Sequence, residues 1–203
     1  VPTSKDRKDK MPKFQGVVPP VVTPYNADFS VDYPSYTRVL EHLIGGGCHG
    51  LFVLGSTSEV TFFDEATRRK ILEHTVKVVN GRVPVITGVL DPSTDRVIGH
   101  AKTAQSIGVD AVVATAPFYT LTSQSEILEH FRILRGALDL PVIAYDIPVC
   151  VHVKLTRQTV VTLAKEGALA GLKDSSGDDG NFRYVLLDLA DDVRRDVDLD
   201  PGM

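Results

Sequence analysis

A parallel α/β barrel of the (β/α)8 type, with about six of its strand–helix units present, is the fold class the sequence predicts, and three observations predict it. Short apolar runs rich in β-branched residues alternate with longer segments of helical period. The runs recur at roughly thirty-residue intervals, about one βαβ step. Reactive side chains follow the carboxyl ends of several different runs, which is where a barrel gathers its chemistry.

The elements follow in order. A first strand is expected over residues 16–22, GVVPPVV, followed by a helix over 33–44. The second strand, 50–54, precedes a helix over 64–79 that opens on Asp64. The third, 83–88, enters through Pro84, where a missing ladder donor is tolerated, and leads to a helix over 93–107 that opens on Ser93. The fourth, 111–115, is followed by a helix over 123–137 opening on Ser123. The fifth, 142–145, enters through Pro141 and leads to a helix over 156–165 opening on Thr156; the sixth, 170–173, precedes a helix over 178–189 opening on Asp178. These Ser, Thr and Asp side chains can cap free backbone N–H groups. Gly45, Gly46, Gly47, Gly81, Gly108 and Gly167 come just after helices, where a left-handed residue is useful. The domain is expected over residues 14–190, between a charged tail at 1–13 and a charged irregular tail at 191–203.

An open doubly wound sheet shares this alternation but needs a glycine-rich turn after its first strand. The cluster Gly45–Gly47 with Gly50 follows a helix and precedes a strand, the wrong order for a dinucleotide fingerprint. A net charge of −4 and no basic stretch interleaved with aromatics argue against nucleic acid as a partner. Two distant cysteines, Cys48 and Cys150, form neither a disulfide framework nor a zinc-ligand spacing, and fit a reducing cytoplasm. No apolar stretch long enough to be a signal peptide or a membrane span follows the charged start. His42, His49, His74, His100 and His130 lack metal-ligand spacing and are expected to be ordinary surface or interface groups; His152 is expected either as a surface residue of a loop or as a source of polarity beside Cys150.

Strand two runs into Gly55, Ser56, Thr57, Ser58 and Glu59, a small-residue loop whose hydroxyls and N–H groups can receive a carboxylate or relay a proton, or that is simply a capped turn. Strand four ends near Tyr119, which taken alone could equally pack the rim, strand five on Tyr145, and strand six on Lys173, which taken alone could equally form a salt bridge with Asp174. A lysine at the end of an apolar barrel strand sits where the surroundings favour the neutral, nucleophilic amine. Such an amine attacks a ketone and forms an imine, an electron sink for making or breaking C–C bonds. Tyr145, one strand away, is placed to move protons, with Ser56 or Thr57 and Tyr119 extending the set. Clustered His and acidic ligands for a metal-dependent aldolase are missing from the strand ends.

The segments GVVPPVVTPY (16–25), GSTSE (55–59), AYDIP (144–148) and GLKDSSGD (171–178) resemble the dihydrodipicolinate synthase and N-acetylneuraminate lyase family of pyruvate-dependent class I aldolases, over residues 14 to about 189. The resemblance implies that Lys173 forms the imine with pyruvate or another 2-keto acid and that Tyr145 is the general acid/base. It further implies that Gly55, Ser56 and Thr57 bind the carboxylate, and that Tyr119 completes a relay from a neighbouring subunit of a dimer or tetramer. No metal, nucleotide or other cofactor is implied. Two departures stand out: Ser58 replaces the family's usual glycine, and Cys150 stands where dihydrodipicolinate synthases carry an arginine for the second substrate. A neutral thiol does not replace a bidentate guanidinium, so aspartate semialdehyde is not the expected partner substrate. With strands seven and eight missing from the pattern, the competing expectation is an inactive, truncated family member, either a damaged gene product or an assembly subunit.

Overall fold

The computed structural model describes residues 14–190. The tails expected at 1–13 and 191–203 lie outside the described residues. The chain runs α1 (Tyr33–Gly45), β1 (Leu51–Val53), α2 (Glu65–Val79), β2 (Val85–Gly88), α3 (Thr94–Ile107), β3 (Ala111–Thr115), α4 (Gln124–Gly136), β4 (Val142–Asp146), α5 (Pro148–Val151), α6 (Arg157–Lys165), β5 (Gly171–Asp174) and α7 (Asp179–Asp188). The strands form one parallel sheet in sequential order, β1-β2-β3-β4-β5. Sequential parallel strands joined by right-handed crossovers leave all their helices on one face, and the sheet curls as an arc of a barrel.

Burial follows from that layering. Every residue of β1, β2 and β3 is buried, the continuous apolar pattern of parallel strands covered on both faces. All four residues of β5 are only half-buried, because β5 is the edge of the described sheet. Ile71, Ile127, Phe131 and Leu134 anchor α2 and α4 in the core, each contributing about 1.5–3 kcal/mol by leaving water. Neighbouring helices also brace one another in chain order, α1 on α2, α2 on α3, α3 on α4, α4 on α6 and α6 on α7.

The caps read from sequence form for most helices. Asp64, Thr156 and Asp178 accept from the N–H groups of Thr67, Thr159 and Asn181, and Ser123 makes a reciprocal capping box with Glu126. Ser93 occupies the cap position of α3 without a side-chain cap bond.

One expected strand does not form as such. The segment 16–22 lies along β1, where the Val21 N–H donates to the Phe52 carbonyl (2.8 Å) and the Phe52 N–H donates to the Pro19 carbonyl (3.0 Å). Pro19 and Pro20 carry no N–H, so the pairing stops at one bridge between Pro20 and Phe52. Among the described residues no helix is long and apolar enough to cross a membrane.

His130 corrects another expectation: it is buried at 2% exposure on α4, not at the surface. Its Nδ1 lies 2.8 Å from the Thr94 hydroxyl, while Nε2 has no hydrogen-bond partner among the described residues. Burial pushes its pKa down from 6.5 to about 4. Between these values the unfolded chain binds a proton that the folded chain refuses, so the stabilisation is complete above about pH 6.5 and is lost as pH falls towards about 4. Urea unfolding across that window should lose roughly 3 kcal/mol through this group, and His130→Gln should flatten the profile; an unchanged slope in the variant would remove His130 as the cause.

Candidate active site at the strand ends

The register across the sheet fixes which side chains meet. β4 and β5 pair Tyr145 with Lys173 and Asp146 with Asp174, and β3 and β4 pair Thr115 with Tyr145. Partners in a parallel ladder share a face and the next residues take the other. Thr115, Tyr145 and Lys173 therefore line the inner, concave face, with Asp146 and Asp174 on the face that the helices cover.

The Lys173 ammonium nitrogen lies 3.9 Å from the centre of the Tyr145 ring and 5.8 Å from that of Phe52. Phe52 meets Tyr145 edge-on at 6.3 Å, so the two aromatics form an apolar wall for the amine. Lys173 Nζ donates to the Ser175 hydroxyl at 3.0 Å, and Ser175 Oγ donates to the Tyr145 hydroxyl at 3.4 Å. The chain of contacts from amine to phenol thus runs through Ser175, a residue that sequence reasoning left unassigned within GLKDSSGD. Phe52 was also missed, since inside strand two it reads as ordinary core. Its alternation with Leu51 and Val53 puts it on the inner face, which is the signal that could have found it.

The loop after β1 is shaped by close backbone approaches. Leu54 is buried with φ of 53°, a left-handed conformation unusual for a side chain of this size. Its carbonyl oxygen would stand 2.0 Å from a Cβ placed on Gly88, so only glycine fits the end of β2 there. Gly55 rests against the Phe52 ring, and Ser56–Ser58 form a single 3-10 turn. Ser56 and Thr57 are exposed, and neither hydroxyl makes a hydrogen bond among the described residues. Ser58 turns the other way: it is 2% exposed, its hydroxyl donates to the Val21 carbonyl (2.5 Å), and its own carbonyl accepts from the Thr23 hydroxyl (3.1 Å). The serine in place of glycine therefore ties the loop to the segment beside β1 and leaves the mouth clear.

Tyr119 is 93% exposed with φ of 79° and makes no hydrogen bond among the described residues, so Tyr145 and Lys173 meet without it. Cys150 is exposed on α5, a one-turn helix too short to show a period in sequence, and His152 is exposed just beyond it.

Strand–helix alternation, sequential parallel order and polar groups gathered at strand ends define a protein of the (β/α)8-barrel class. The chain belongs to the dihydrodipicolinate synthetase family, whose model matches residues 13–193. A DapA-like lyase of Halobacterium salinarum is 40% identical over 165 residues, 81% of this chain and 54% of the relative. A protein of Escherichia coli K12 named a probable 2-dehydro-3-deoxy-D-pentonate aldolase, YjhH, is 34% identical over 177 residues, 87% of this chain and 59% of its own. The crystal structure of YagE from the same organism, a prophage protein of the dihydrodipicolinic acid synthase family in complex with pyruvate, superposes with a TM-score of 0.86 at 29% identity, covering 90% of this chain and 62% of that one. The chain thus spans little more than half the length of the relatives it matches.

Replacing Ser58 with Gly should cost about 1–3 kcal/mol, because the buried Val21 carbonyl loses its side-chain donor. Urea unfolding measures it, and a variant as stable as the parent would show that the tie carries no energy.

Proposed function

We propose that the chain carries the imine-forming centre of a class I lyase or aldolase acting on pyruvate or another 2-keto acid. The observation that carries this reading is the placement of Lys173 against Tyr145 on one face, joined through Ser175. The neutral amine attacks the keto carbon, a C–N bond forms, and the ketone oxygen leaves as water once two protons have reached it. The imine then accepts the electron pair released when a proton or a second carbon fragment leaves the adjacent carbon. Tyr145, with Ser175 beside it, is the group placed to move those protons.

Gly55, Ser56 and Thr57 are assigned to the keto acid's carboxylate, a role supported by two exposed hydroxyls with no internal partner. Cys150 offers no charge for a second carboxylate, which favours a substrate other than aspartate semialdehyde. Tyr119, exposed on a left-handed backbone, is assigned to a neighbouring copy in a homodimer or tetramer. The chain is placed in the cytoplasm on its cysteine usage.

The half-buried state of all of β5 favours a second reading, a family member without activity that serves as an assembly subunit, because water reaches the strand that carries Lys173. Borohydride reduction in the presence of pyruvate separates the two. The first reading predicts one reduced pyruvate on the peptide holding Lys173, and trapping in Tyr145→Phe with turnover about 10²-fold slower. A folded chain whose Lys173 peptide stays unmodified would establish the second.

A further inference from the structure

Behind the Tyr145–Lys173 pair, on the helix-covered face, lies a cluster of charge that the proposed chemistry leaves unused. Asp146 follows Tyr145 at the end of β4, and Asp174 follows Lys173 at the end of β5, directly opposite it in the ladder. Both carboxylates are withdrawn from water, at 1% and 10% side-chain exposure. Lys154, from the loop between α5 and α6, reaches back to both. Its ammonium forms an ion pair with Asp146 Oδ2, lies 3.8 Å from Asp174 Oδ2 and donates to the Ser176 hydroxyl at 2.8 Å.

The Oδ1 oxygens of both carboxylates are used as well. Asp146 Oδ1 accepts from the Leu155 N–H (3.2 Å) and Asp174 Oδ1 from the Ser176 N–H (2.7 Å). Asp174 Oδ2 is buried without a hydrogen bond, so the Lys154 ammonium is its counter-charge. Two buried carboxylates at adjacent strand ends repel each other if left uncompensated. One cation shared between them makes the repulsive pair a bridge.

We propose that Lys154 is the positioning residue of the site: its single ammonium holds the ends of β4 and β5 together and offsets the two carboxylates that flank Tyr145 and Lys173. The proposal rests on the reading of Lys173 as the imine-forming lysine and adds the group that controls it. Lys173 faces the Tyr145 phenol from β4, the uncharged Phe52 ring from β1 and the Ser175 hydroxyl from its own loop. Its nearest carboxylates in the chain and ladder are Asp174 and Asp146, behind the sheet. With Lys154 present the trio carries one net negative charge. Without it the trio carries two, and the potential behind Lys173 becomes more negative.

The readout is the pH dependence of Lys173 acetylation by trace acetic anhydride, followed by peptide mass spectrometry on the whole chain, a measurement that needs no substrate. Lys154→Met should move the Lys173 profile upward by about half a pH unit or more, Lys154→Arg should restore it, and Asp146→Asn, which removes one negative charge, should move it downward. A folded Lys154→Met with the parent's profile, or Arg and Met variants shifted alike, would overturn the proposal. Should Lys154→Met fail to fold, Asp146→Asn decides: a downward shift supports the role and an unmoved profile rejects it. A parallel borohydride reduction with pyruvate keeps the two claims apart. A parent chain that traps no pyruvate but shows the labelling shifts refutes the lyase reading and leaves the control of Lys173 by Lys154 standing.

Discussion

The site depends on the register between β4 and β5. With Tyr145 opposite Lys173 and Asp146 opposite Asp174, the inner face receives an amine and a phenol while the other face receives two carboxylates. Because side chains alternate with a period of two, a slip of β5 by one residue would aim Asp174 at Tyr145 and turn Lys173 among the helices. Every contact of the amine described above, with Tyr145, Phe52 and Ser175, exists only in the observed register.

That register is held from both sides. On the inner face Phe52 closes against Tyr145, and its position follows from β1, whose end is set by the left-handed Leu54 and the bare Cα of Gly88. On the outer face the charges at the strand ends are tied to the α5–α6 loop by the Lys154 ion pairs. Burying an ion pair in this way adds little net stability compared with an apolar replacement, but it penalises alternative arrangements that would leave a carboxylate alone.

Much of this was legible in the sequence. The strand runs at 50–54, 83–88, 111–115, 142–145 and 170–173 all appear in the sheet, the first four because buried parallel strands write themselves as largely apolar stretches and the half-buried last one because it keeps the thirty-residue spacing. The run at 16–22 is as apolar but contains two prolines, and the missing donors reduce it to a bridge. Lys173 and Tyr145 could be paired from sequence because strand ends in this architecture share a rim. The bonds of Ser175 to Tyr145 and of Lys154 to Asp146 could not, since those partners lie 30 and 8 residues away on β4, whereas Phe52 was legible only as an inner-face residue, its partner Tyr145 being far along the chain. His130 was misplaced for a related reason: one histidine on an amphipathic helix reads as polar, and only the packing of α4 on the sheet shows that it is neutral core.

The most direct measurement of the central claim is the exchange of pyruvate methyl protons in deuterated water, followed by proton NMR, since exchange through an enamine needs both the amine and a proton-transfer group. The account predicts that the chain accelerates exchange, that Lys173→Ala abolishes the acceleration, and that Tyr145→Phe slows it by about 10²-fold. Exchange that proceeds equally fast in Lys173→Ala would contradict the account.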